Sequence, residues 1–440
     1  MNTLRPTIMA GSGCRLTAAL SIVMAVALVA GACSGNRDGA SDSSEAVDAL
    51  GDGSLGVVEV GPGEAIQIRS VLALSGDAGS GPTVERVVRL AVGHYGTVHG
   101  FDLDLGTPID DGCSPEGGER AGEEIAADAD VIGVIGTNCS AAAVTAAPLV
   151  TGANKVMISP ANSSPRLTSD LAGNPSSDHH EGYYRTADND LYQARTMAQF
   201  LRSEKGVDTV ATIHNGDAYT QSLAEAFAAS FEELGGSVTG VGVVARDETD
   251  LVPTLTDLAD GSPEALFFPV SRTAGAAIVQ QLPDVSGLDG VLRLSGDGLL
   301  ADAFLGFEES EGMFLSGPNL SFGTNANEST GRRSADLLSE YEDAYGTAPE
   351  AAFWAHAYDA ATLLLEAIEA ASRLEGESLV IDLAGVREYL DGVSGYGGII
   401  GSISCDDFGD CGVRRMAVVE HLDSGDPAAT RSNTVYEYVP

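Results

Sequence analysis

The chain has 440 residues, 44% of them hydrophobic, which is enough for two or three domains with a sizeable buried core. Its 64 acidic residues outweigh 23 basic ones, and the formal net charge of -41 would repel nucleic acid and anionic lipid headgroups, so neither is an expected partner. The acid excess is spread along the chain as solvated surface; no Asp-x-Asp-x-Asp-Gly calcium loop occurs, and lysine stands only at Lys155 and Lys205.

Taken in chain order, the first segment reads as an export signal over residues 1–32. Arg5 and Arg15 supply positive charge, and 16–30 is a largely apolar run, too short for a comfortable membrane-spanning helix. The junction Ala30-Gly31-Ala32-Cys33 is similar to a bacterial lipobox, with Cys33 as the lipidated residue, although alanine replaces the usual leucine at Ala30. Ala30-Gly31-Ala32 also fits ordinary signal-peptidase cleavage, so two readings stand. Residues 33–64, rich in Ser, Gly, Asp, Ala and Glu, read as a flexible tether.

Strand and helix then alternate. Strands are expected at 66–74, 101–106, 131–135 and 156–159, and helices at 83–95, 116–127 and 140–150. A Pro/Ser/Asp/His-rich break at 173–182 precedes Tyr183-Tyr184-Arg185-Thr186 and a helix carrying Gln193. A second alternation places strands at 209–213, 237–244, 265–270, 291–295 and 313–317, with helices at 219–234, 250–258 and 274–282. A long helix is expected at 351–371. This rhythm predicts an α/β protein with mostly parallel sheets covered on both faces, whose ligand edge lies beyond the carboxyl ends of the strands.

Three stretches fall on that edge: Asp110-Asp111-Gly112-Cys113, then Ile135-Gly136-Thr137-Asn138-Cys139-Ser140, then Ile158-Ser159-Pro160-Ala161. Their spacing closely resembles the amino-terminal lobe of the periplasmic leucine/isoleucine/valine-binding proteins, and the resemblance covers roughly residues 66–420. It implies a two-lobe type I periplasmic-binding-protein fold with three hinge crossings. Lobe 1 would comprise 65–187 plus 319–402, and lobe 2 would comprise 188–318 plus 403–440. The last crossing is expected near 402–412. The resemblance also implies a disulfide Cys113–Cys139. Cys405 and Cys411 can close a second, around a small Asp/Gly-rich loop. Cys14 leaves with the signal and Cys33 is left over, which favours a lipid on Cys33.

An amino-acid zwitterion needs donors for its carboxylate, ideally at a helix N-terminus, and acceptors for its ammonium. By resemblance, Ser140 serves the carboxylate, and Ala161 and Ser163 offer a carbonyl and a hydroxyl to the ammonium. Tyr219 lies over the ligand and Asp297 meets the ammonium. Each residue also has a plainer role: Ser140 as a helix cap, Ser159-Pro160-Ala161-Asn162 and Gly296-Asp297-Gly298 as turns, Tyr219 as a rim residue. Thr220 replaces a glycine usual in the family. Ser271 and Arg272 stand where the family often has an aromatic residue, so an Arg272 facing the cleft would make the side-chain pocket other than aliphatic. His179-His180 reads as a solvated loop, and no metal or other cofactor is expected.

No Gly-x-Ser-x-Gly, His-Glu-x-x-His or phosphate-loop motif appears, which argues against an exported enzyme. The expected function is extracytoplasmic capture of an amino acid or similar small polar ligand and delivery to an ABC permease. A ligand sensor of the same fold, for an amide or organic acid, is the alternative.

Overall fold

The computed structural model describes residues 50–76 and 79–438. The expected signal peptide, the Cys33 junction and most of the expected tether lie outside the described residues.

Two seven-stranded sheets organise the chain. The first runs Thr97–Val98, Phe101–Asp104, Ile66–Leu72, Val131–Gly136, Val156–Ser159, Tyr183–Arg185, with Ile109–Asp110 pairing on the end of Ile66–Leu72. From Phe101–Asp104 onward its pairings are parallel. Val131–Gly136 and Val156–Ser159 are buried along their whole length, as expected of a sheet covered on both faces. The second sheet runs Ser237–Val243, Thr209–His214, Ala265–Phe267, Leu292–Ser295, Phe314–Pro318, Met416–Glu420, Thr434–Glu437. It is parallel up to Phe314–Pro318 and antiparallel beyond. Sheet membership changes after Arg185, and the chain rejoins the second sheet at Met416 after the hairpin Ser394–Gly397 with Ser402–Ser404.

Between these passages the long helix Trp354–Ala370 packs on the first sheet. Close approach is possible because Gly133 has no side chain: a Cβ there would come within 2.9 Å of Leu364. The helix Pro115–Ala127 starts with Ser114 accepting the Gly117 N–H and with proline at its first position. Its Gly118 and Gly122 let it lie directly against the helix Ser140–Gly152, where a Cβ on Gly118 would meet the Ala142 carbonyl at 2.1 Å. That contact fixes the helix carrying Ser140.

Three readings of the sequence need correction here. Residues 57–60, expected inside the tether, form the strand Val57–Val60, antiparallel to Ser378–Asp382 in a small three-stranded sheet. Alternation buries Val58 and Val60, and the partner strand lies more than 300 residues away in sequence, where a local reading does not look. The expected strand 265–270 stops at Phe267; Phe268–Val270 leave the ladder and lead into the helix Arg272–Gln281. His179 does not sit in a fully solvated loop; its ring stacks edge-on against Phe408 at 5.7 Å.

Both disulfides form, Cys113–Cys139 and Cys405–Cys411. Lys155 is buried, and its ammonium donates to the carbonyls of Asp128 at 2.8 Å and Val131 at 2.5 Å, while Lys205 is exposed. Among the described residues no helix is long and apolar enough to cross a membrane.

Candidate ligand-binding cleft

A cleft of about 290 Å³ is lined by residues that follow the carboxyl ends of strands from both sheets: Ser80, Ser140, Ala161, Tyr219, Ser271 and Asp297. This is the edge at which open parallel sheets place ligands.

One wall is the start of the helix Ser140–Gly152. Cys139 occupies its N-cap with no side-chain cap bond, since the sulfur is committed to Cys113. Ser140 is therefore the first helical residue rather than the cap. Its Oγ accepts the Ser164 N–H at 3.3 Å, which leaves the hydroxyl proton to donate. An uncapped helix N-terminus carries positive partial charge and suits a carboxylate. Asn138 holds the adjacent loops, its Oδ1 accepting the Ala73 N–H at 2.7 Å.

The facing wall is acidic. Asp297 follows Leu292–Ser295, and Tyr219 donates to its Oδ1 at 3.0 Å. The same phenolic oxygen accepts the Gly298 N–H at 3.0 Å. Burial raises the Asp297 carboxyl to about 6, against the pull of hydrogen bonds from Gln193 and Tyr219. Thr220, in the family's glycine position, uses its Oγ1 to accept the Asn215 N–H at 3.1 Å.

Behind Asp297 lies Asp190, 0% exposed, with neither carboxylate oxygen in a hydrogen bond of good geometry. Burial, and then the charge of Asp297, push its pKa well above the ordinary carboxylate range, although the nearby Ser163 hydroxyl favours the ionised form. Sequence reasoning passed over Asp190; its only signal was its place in the run leading to the helix with Gln193.

The structure thus brings Ser140, Ala161, Tyr219 and Asp297 to one cleft. Ser163 lies elsewhere: it is 3% exposed, absent from the cleft lining, and its Oγ completes no hydrogen bond of good geometry. It stands beside Asp190, whose N–H donates to the Ser163 carbonyl at 2.9 Å. The loop itself is fixed from below by Arg185. This fully buried guanidinium donates to the carbonyls of Asn162 at 3.2 Å and Ser164 at 2.7 Å, to Thr168 Oγ1 at 2.6 Å, and to Asp410 in an ion pair.

Arg272 does line the cleft, and so does Arg246, which no sequence motif singles out. Arg246 Nη1 pairs with Asp217 at 3.0 Å, and its Nη2 reaches Cys113 Sγ at 3.5 Å.

A two-sheet α/β body with polar groups converging from both sheets on one cleft is an architecture that suits solute capture. A periplasmic binding protein family model matches residues 65–426, and the chain belongs to that family. Among curated relatives, a Leu/Ile/Val-binding protein homolog of Brucella melitensis is 26% identical over 273 residues, 62% of this chain and 69% of that one. A leucine-binding protein of Thermotoga maritima superposes with a TM-score of 0.70 at 23% identity, covering 82% of this chain and 96% of its own. A branched-chain amino acid transporter substrate-binding protein of Streptococcus pneumoniae, solved with isoleucine, gives 0.68 at 17% identity, over 86% and 99%.

Proposed function

We propose that the protein captures an amino acid in this cleft and delivers it to an ABC permease without chemically altering it. The carrying observation is the pairing of opposite walls. An uncapped helix N-terminus with Ser140 offers donors to a carboxylate, and Asp297 held by Tyr219 offers an acceptor to an ammonium. Ala161 lies on the first wall, so its carbonyl serves the same ammonium; Ser163 acts one layer back, through Asp190. The names of the relatives support the same reading.

In this reading 65–187 plus 319–402 close against 188–318 plus 403–440, bringing Tyr219 and Asp297 onto a ligand already held at Ser140. The protein works outside the cytoplasm, tethered by a lipid on Cys33. A thermal-shift screen of the soluble domain against amino acids, amides and organic acids tests the ligand class, because a bound ligand raises the melting temperature by mass action. Stabilisation by benzoate or acetamide and by no amino acid would defeat the proposal. Intact mass of the protein from its host tests the anchor; an unmodified Cys33 in the soluble fraction rules it out.

A further inference from the structure

At one end of the cleft two segments meet through their backbones. One is 301–306, which follows the Asp297 turn. The other is the loop 346–353, between the helices Ser334–Tyr345 and Trp354–Ala370. Ala301, Phe304, Ala351 and Phe353 all line the cleft. Ala301 and Ala351 face each other as an isolated antiparallel bridge, and the Asp302 N–H donates to the Glu350 carbonyl at 3.0 Å.

The two segments are fastened to different sheets. Phe304 packs beneath the helix Arg272–Gln281, where a Cβ on Gly275 would come within 3.3 Å of its ring, so 301–306 travels with the second sheet. The loop 346–353 belongs with the first. Arg86, on the helix Gly81–Tyr95, donates to the Tyr341 hydroxyl at 3.2 Å, and its carbonyl accepts from the Tyr345 hydroxyl at 3.2 Å. At the loop's other end, Trp354–Ala370 lies on Gly133 of the first sheet.

Arg431 spans the gap. It lies on the short helix Pro427–Ser432, tied to the end of the second sheet by the hydrogen bond of Thr430 with His421 at 2.7 Å. Its Nη1 forms an ion pair with Asp302, and its Nη2 donates across the gap to the Pro349 carbonyl at 3.2 Å. The guanidinium side chain is only 9% exposed, so water screens this contact little. The ion pair lies on the second-sheet side and survives if the sheets part; the bonds to Pro349 and Glu350 do not. Asp302 therefore aims the arginine in advance, and the planar fork leaves the second nitrogen to reach the opposite loop. Arg431 itself is absent from the cleft lining.

We propose that Arg431, aimed by Asp302, is a closure latch that sets how long the cleft stays shut around its ligand. This rests on the hinge-closure reading above and adds the contact that holds the closed form. Because the latch engages after entry and touches no ligand, it slows release and leaves capture alone.

Stopped-flow fluorescence of the full-length protein reads this, because the chain's one tryptophan, Trp354, directly follows the latched loop. With each of the common L-amino acids in turn as the probe, Arg431→Gln should speed dissociation roughly tenfold, as expected for the loss of one charge-assisted hydrogen bond, and leave association nearly unchanged. Asp302→Asn, which keeps the backbone N–H and frees the guanidinium, should act in the same direction. Melting temperatures of the empty variants close to wild type show that they are folded. A second test needs no ligand. Facing residues of an antiparallel pair lie within reach of a disulfide, so Ala301→Cys with Ala351→Cys should join on oxidation, as peptide mapping would show. The oxidised protein should be more compact in small-angle X-ray scattering than the same protein reduced. Dissociation unmoved by both Arg431→Gln and Asp302→Asn overturns the latch. So does a cysteine pair that fails to join, or one whose oxidation leaves the scattering unchanged, since the sheets then do not part here. Binding of no amino acid, with compaction on oxidation, overturns the amino-acid reading and leaves the latch standing.

Discussion

Tyr219 donates its phenolic proton to Asp297 and accepts the amide of Gly298 on the same oxygen, both at 3.0 Å. The carboxylate is thus aimed by a side chain that follows the strand Thr209–His214, two strands away in the same sheet. A charge-assisted hydrogen bond to an ammonium is worth about 1.5–3 kcal/mol. Asp297→Ala should weaken a zwitterionic ligand by roughly 10- to 100-fold. A ligand of the same shape lacking the amine should be nearly unaffected. Calorimetry on both proteins reads the difference, and equal affinity for the amino acid would remove Asp297 from the ammonium site.

Binding should depend on pH through the same residue. Burial raises the Asp297 carboxyl to about 6 in the empty cleft, and the groups facing it are Tyr219, Gln193, the Gly298 amide and the still more strongly raised Asp190. An ammonium prefers the ionised carboxylate. Affinity is therefore full above about pH 7 and falls as protons return, about tenfold by pH 5 for a single group. Near pH 6 the ligand should displace a proton, seen as a binding heat that changes with the ionisation enthalpy of the buffer. A heat independent of the buffer at pH 6 would contradict the assignment.

The disulfide Cys113–Cys139 closes a separation of 26 residues directly before Ser140. By loop-entropy reasoning it contributes roughly 3 kcal/mol. Replacing both cysteines by serine should lower the melting temperature and also weaken ligand binding. Arg246 rests on Cys113 Sγ, and the start of the helix Ser140–Gly152 would lose its anchor. A variant that melts earlier but binds with unchanged affinity would confine the bond to stability.

Arg185 supports the loop after Val156–Ser159 from beneath. Its replacement by methionine leaves the half-buried Asp410 without its cation beside Thr168 and strips donors from the carbonyls of Asn162 and Ser164. Breaking a buried ion pair from one side costs about 3–5 kcal/mol. Denaturant unfolding should show that loss in the midpoint, with little change in slope. A cost under about 1 kcal/mol, the range of an exposed pair, would mean that the network repairs itself with water.

The strands near the ligand were legible because parallel-sheet burial writes itself as short apolar runs. Val131–Gly136 and Val156–Ser159 are continuous hydrophobic stretches, and residues just beyond their ends, Asn138, Ser140 and Ala161, line the cleft. Helices with mixed faces, such as Thr220–Glu233, were found to within a residue or two. What escaped was held by contacts distant in sequence. Val57–Val60 looks like part of a polar leader until Ser378–Asp382 lies beside it. Asn215 reads as one turn residue in Asn215-Gly216-Asp217, and only folding shows it bonded to segments 30 and 56 residues away. Asp190, which opens the helix Asp190–Phe200, and the loop residue Ser163 stand out only in having buried side chains without good partners, a property of packing rather than of local pattern.

The burial of Lys155 has a practical side. The chain has two lysines, and the ammonium of Lys155 is sealed against the carbonyls of Asp128 and Val131 while that of Lys205 lies in the open over the rings of Phe200 and Phe314. An amine-reactive fluorophore therefore finds one accessible side-chain address among the described residues, away from the cleft lining. Labelling at Lys205 gives a reporter for ligand-driven movement without any engineered cysteine to disturb the native disulfides.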